Sequence, residues 1–145
     1  MSVPTDMVER ATEAMRTGDW SAARDAYSTA LLDDDAPELH LGLGRASWWM
    51  QDIPGALSQV EQAYAGFRSR GDRRAAASAA IWLSREYAAA HANEPASAGW
   101  EARAAGLLRD AEPCVEQGWL ALSRAERERS PERIAQAAQQ ALEVA

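Results

Sequence analysis

The sequence predicts an all-α fold of eight helices arranged as four antiparallel pairs, and three observations carry that reading. Helix-start signals recur along the chain. Pro4, Pro37, Pro54, Pro95, Pro113 and Pro131, joined by Asp19 and Asp72, stand at or just before the opening of an apolar stripe of helical period. There a missing N–H costs little and a carboxylate can cap. The starts fall near residues 5, 19, 37, 54, 72, 95, 113 and 131, about eighteen apart with one longer gap after Asp72. No alternating β-branched run competes with them. Small residues also recur at a fixed interval: Ala11, Ala23 and Ala30 stand thirty-three positions before Gly44, Ala56 and Ala63. That period belongs to stacked helical arrays.

The elements follow in order. Helix one is expected to open at Asp6, with Glu9 completing a capping box, and to exit at Gly18. Helix two runs from Trp20 to about Leu32, and Asp33-Asp34-Asp35 follows as a solvated turn without the spacing or glycine of a calcium loop. From Leu39 to Tyr64 the chain reads as a helical hairpin broken at Asp52-Ile53-Pro54. Small residues (Gly44, Ser47, Ala56, Ala63) stand where its two helices approach, and Leu43, Trp48, Trp49 and Val60 are expected to fill the space beside them. Helix four ends at Arg70-Gly71.

Asp72-Arg73-Arg74 starts the longest helix, with Ile81, Trp82, Leu83 and Tyr87 as its stripe. Here the period slips. Matching Ala98 and Ala105 to Ala56 and Ala63 takes forty-two residues, which places an extension around His91-Ala92-Asn93-Glu94. Helix six runs from Pro95 to about Arg109, and helix seven, from Pro113, carries Trp119, Leu120 and Leu122. Helix eight opens at Ser130-Pro131-Glu132 and reaches Leu142 and Val144. The chain thus reads as one helical-repeat domain with repeats of about 4–36, 37–71, 72–111 and 112–145. It ends on an apolar stripe with no glycine exit and no polar capping helix. Such an end is expected of the N-terminal part of a longer protein, or of a surface that pairs with a second copy through Leu142 and Val144.

Gly18, Asp19, Ala23, Tyr27, Ala30 and Leu31 match position by position a pattern of Gly-Asp turn, alanine, aromatic and Ala-Leu. On these residues the first two repeats resemble the tetratricopeptide-repeat family. The resemblance implies a right-handed superhelix in which the first helix of each pair lines a concave groove. It points Arg45, Trp48 and Trp49 into that groove, places Arg85 and Trp119 similarly, and brings Arg16 to the rim. Indoles interleaved with guanidinium groups suit a peptide, a protein segment or a small-molecule effector, combining contact area with bidentate hydrogen bonding. Neighbouring helical residues point about 100° apart, so Trp48 and Trp49 cannot both be well buried. Trp20 and Trp82 are expected to pack between repeats. The family's carboxylate clamp needs Lys and Asn where this sequence has Val8 and Thr12, so that activity does not transfer.

A narrower likeness rests on Gly18-Asp19-Trp20, Trp48-Trp49, Ala63-Tyr64, Gly71-Asp72-Arg73-Arg74, Ala80-Ile81-Trp82-Leu83 and Ala98-Gly99-Trp100. The series resembles the helical-repeat region of actinobacterial LuxR-type transcriptional regulators. It implies a sensing or assembly portion, with the DNA-reading helix-turn-helix elsewhere.

Composition narrows the function further. A net charge of −7 argues against direct nucleic-acid binding, since phosphate contacts need clustered Lys and Arg. No stretch approaches twenty uninterrupted apolar residues, and Met1 to Asp6 lacks the features of a signal peptide. The single cysteine, Cys114, forms no internal disulfide, in keeping with a cytoplasmic location. It stands near a helix start without a neighbouring histidine, so it is read as inert, while His40 and His91 lie far apart and read as surface or packing residues. No nucleophile–base pair or metal set stands out. The sequence therefore predicts a non-catalytic interaction or ligand-sensing module without metal or cofactor, with homodimerisation through the last helix as the alternative.

Overall fold

The computed structural model describes the backbone of residues 3–144 and the side chains of residues 6–144. Its regular elements among these residues are eight helices: α1 (Val3–Thr17), α2 (Trp20–Ala30), α3 (Pro37–Trp49), α4 (Ile53–Arg70), α5 (Arg73–His91), α6 (Glu94–Leu108), α7 (Val115–Glu128) and α8 (Pro131–Val144). Each expected repeat holds one pair. By contacts the chain divides into two compact units, Met1–Arg70 and Gly71–Ala145.

The start signals work as expected in most places. Asp19, Asp72 and Asn93 accept hydrogen bonds from the backbone N–H three residues on, at Ala22, Ala75 and Ala96, each at 3.1 Å. Asp52 does the same for Gly55 at 3.1 Å. These bonds satisfy donors that the first helical turn leaves without partners. Two ends differ from expectation. Helix α1 opens at Val3, with Pro4 in its first turn, so Asp6 lies inside the helix instead of at its cap. Helix α7 starts only at Val115, with Cys114 as the capping residue, and the Gln117 side chain accepts the Cys114 N–H at 3.2 Å.

In the first unit, all six small residues of the thirty-three-residue match are buried: Ala11, Ala23, Ala30, Gly44, Ala56 and Ala63. Gly44 sits so close to α4 that an added Cβ would lie 2.8 Å from Val60 Cγ2 and 3.3 Å from the Ala56 carbonyl. The closely packed hairpin is as the sequence predicts, except that Trp49 does not fill it and is 51% exposed. The two pairs meet through apolar contact. Ala14, Ala23 and Ala46 form a cluster bordered by Met15 and Tyr27, and the Tyr27 ring lies over Gly42. His40, expected to be a surface or packing residue, is a packing one. Its Nε2 bonds Asp35 at 2.6 Å and its Nδ1 bonds Gln59 at 2.7 Å, tying the start of α3 to α4.

In the second unit the expected register needs correction. Ala98 is exposed, and the buried side of α6 is Ser97, Glu101, Ala104 and Leu108. These stand forty-one residues after Ala56, Val60, Ala63 and Phe67, not forty-two. The buried Ala76, Ala77, Leu83 and Ser84 of α5 stand thirty-seven after Leu39, His40, Ala46 and Ser47. The slip from thirty-three is therefore made in two steps of four, each close to one helical turn. A whole turn preserves which face is buried, which is why the fold tolerates it. The first step lengthens α4, and the second lengthens the α5–α6 hairpin.

Candidate functional site

The lengthened hairpin builds a cleft in the second unit. Its volume is about 560 Å³, and its walls come from the last turns of α5, the first turns of α6 and the end of α7. Trp82, Arg85, Glu86 and Ala89 recur at helical spacing along α5 and share one wall; Glu94, Ser97 and Glu101 do the same on α6. From α7 come Ser123, Glu126, Arg127 and the capping residue Arg129. Ala88 and Ala89 belong to the extra length that the α3–α4 hairpin lacks.

The floor is polar and fully paired. Ser84 Oγ donates to the Ser97 carbonyl at 2.8 Å and lies 3.1 Å from Ser97 Oγ. Glu101 is 5% exposed, yet both of its oxygens are engaged: Arg124 Nε donates to Oε1 at 2.6 Å, and Arg127 pairs with Oε2. A buried carboxylate without such partners would carry a desolvation cost of several kcal/mol (~3–5). At the cleft mouth Arg85 pairs with Glu126 at 3.2 Å. Below it Arg74 reaches the buried Glu116 at 3.0 Å, and the hydrogen bond to that carboxylate raises the Arg74 pKa. The α7–α8 pair is thus held to α5 and α6 by three sets of ion pairs. The first unit joins its pairs through alanine and tyrosine instead.

The sequence-predicted residues are placed as follows. Arg85 lines the cleft, whereas Trp119 is 41% exposed and is not among the lining residues. In the first unit Trp48 is half-buried and Trp49 is exposed, as their adjacency requires. Trp49 stacks on Trp20 with centroids 4.9 Å apart and meets Trp48 edge-on at 5.0 Å. Since Trp20 follows one hairpin turn and Trp49 precedes another, this aromatic cluster sits at the turn edge of the unit. Arg45 is exposed, one turn before it. Arg16 pairs with Glu13 at 2.6 Å, and this contact lowers the Glu13 pKa. Leu142 is 72% exposed and Val144 half-buried.

Sequence reasoning did not single out Glu101, Arg124, Arg127 or the serine pair. A signal for Glu101 exists once the register is corrected, because Glu101 then stands at the core position that Val60 fills in the second repeat. A carboxylate at a core position marks either a buried ion pair or a site. Cys114 is buried. Among the described residues no group of three or more His, Cys, Asp or Glu side chains is arranged to hold a metal ion, and no helix is long and apolar enough to cross a membrane. No protein-family model matches the chain, and no curated protein matches it.

Proposed function

We propose that this chain is a non-catalytic helical-repeat binding module of tetratricopeptide type, which holds a small ligand or short peptide in the cleft of its second unit. One observation carries the reading. The repeat is lengthened by one turn where the cleft lies, and Ala88 and Ala89 of that turn join its wall. Around the paired floor stand an indole, three guanidinium groups and three further carboxylates, a set suited to recognising polar groups in a fixed arrangement. On the resemblance to LuxR-type regulators, the module is the sensing portion of such a protein, acting in the cytoplasm and leaving DNA to another segment.

Tryptophan fluorescence titrated against a panel of peptides and metabolites tests this. A ligand-dependent change that disappears in Trp82→Phe and persists in Trp48→Ala is expected. A panel that moves no indole signal sinks the proposal.

The exposure of Leu142 favours a second reading, self-association through α8 without a cleft ligand. Sedimentation at micromolar concentration decides it: a dimer that Leu142→Glu or Val144→Glu dissociates supports the second reading, and a monomer removes it.

A further inference from the structure

The charges of the cleft divide into those already paired within the protein and those that are not. Glu101 is held by Arg124 and Arg127, and Glu126 by Arg85. Glu86, Glu94 and Arg129 line the same cleft and join no ion pair among the described residues. They are also segregated. Both carboxylates belong to the α5–α6 hairpin, Glu86 on α5 and Glu94 at the first residue of α6, whereas Arg129 caps the end of α7. Arg127, whose side chain is 33% exposed, gives one nitrogen to Glu101; its guanidinium has further donors, and it lines the cleft together with Arg129.

The geometry points to a zwitterion as the ligand: an amino acid or short peptide with a free ammonium group and a free carboxylate. This inference rests on the reading of the cleft as a binding site. The ammonium is placed against Glu86 and Glu94, and the carboxylate against Arg129 and the outer donors of Arg127. A purely anionic ligand would meet two unpaired carboxylates. A purely cationic one would meet Arg129 and Arg127. Only a molecule bearing both signs satisfies both walls, and Trp82 offers an apolar surface for what lies between. A volume of about 560 Å³ falls in the range of small-ligand sites and admits a short peptide but no folded segment.

Isothermal titration calorimetry on the whole chain tests the inference with amino acids, dipeptides and tripeptides, each free, N-acetylated and C-amidated. The free form is expected to bind tightest, with each blocked form weaker by about fivefold, the loss of one partly exposed ion pair. In Glu86→Gln/Glu94→Gln the advantage over the N-acetylated form disappears and that over the C-amidated form remains. Arg129→Gln gives the converse. All three positions are at the surface or half-buried, so the substitutions leave the fold intact. Equal binding of all forms at a cleft that Trp82→Phe reports overturns the zwitterion and leaves the binding site standing. No heat from any form, together with no fluorescence response, removes both.

Discussion

Gly118 and Gly99 are both helical glycines, yet the structure asks opposite things of them. An added Cβ at Gly118 would lie 2.6 Å from both Cα and Cβ of Ala141 and 3.1 Å from its backbone nitrogen. Those are main-chain and Cβ atoms of α8, which move only if the whole helix moves. At Gly99 the same added atom meets nothing within 4 Å. Replacing a helical glycine by alanine normally stabilises by about 1 kcal/mol, because the unfolded chain loses freedom. Gly99→Ala should show that gain in urea denaturation. Gly118→Ala should instead cost about 1–3 kcal/mol, since overpacking outweighs propensity. A stabilising Gly118→Ala would remove the close approach of α7 and α8. Gly44, whose role is the same, was legible because Ala11 marks its place one repeat earlier. Gly118 has no such partner at a constant interval.

At the scale of elements, the sequence announces where helices begin far better than how they are joined. Six prolines and two aspartates located all eight starts to within a few residues, because capping is a local interaction readable from one or two side chains. Hairpin exits are less visible. Gly18 and Gly71 adopt φ of 79° and 81°, and glycine advertises that conformation. Gln51, Ala92 and Arg129 adopt the same left-handed region with φ of 64°, 46° and 56°, although nothing in their chemistry asks for it. The turn that closes the cleft is one of these, at Ala92, so its length had to be inferred from alanine matching, and that matching was off by one residue. The error mattered. One step rotates a helix by about 100°, which moved Glu101 off the buried face and hid the floor of the cleft. Trp82, in an apolar stripe that reads as packing, is half-buried and also lines the cleft. Arg85, read as a groove residue, is exposed on α5 and lines the same cleft.

For the molecule as a whole, the two units solve the same problem with different forces. In the first, α2 meets α3 through Ala23, Ala46 and Tyr27 over Gly42, contacts indifferent to ionic strength. In the second, α7 is held to α5 and α6 by Arg74–Glu116, Arg85–Glu126 and the Glu101 pairs with Arg124 and Arg127. Most of these guanidinium groups reach solvent, their side chains being between 33% and 60% exposed. At 1 M salt the screening length falls to about 3 Å, so the exposed pairs weaken while the apolar contacts hold. Amide hydrogen exchange should show it: raising NaCl from about 0.05 M to 1 M speeds exchange in α7 and α8 relative to α3 and α4. Glu101→Ala should produce the same pattern at low salt, with a loss of about 2 kcal/mol in protection, less than a fully buried pair would cost because Arg124 and Arg127 can turn to water. Uniform acceleration across all helices, or none, would show that the ion pairs do not hold α7 in place. If the pattern appears, the cleft lies along a seam that opens more readily than any other within its unit, as a site that must admit a ligand requires.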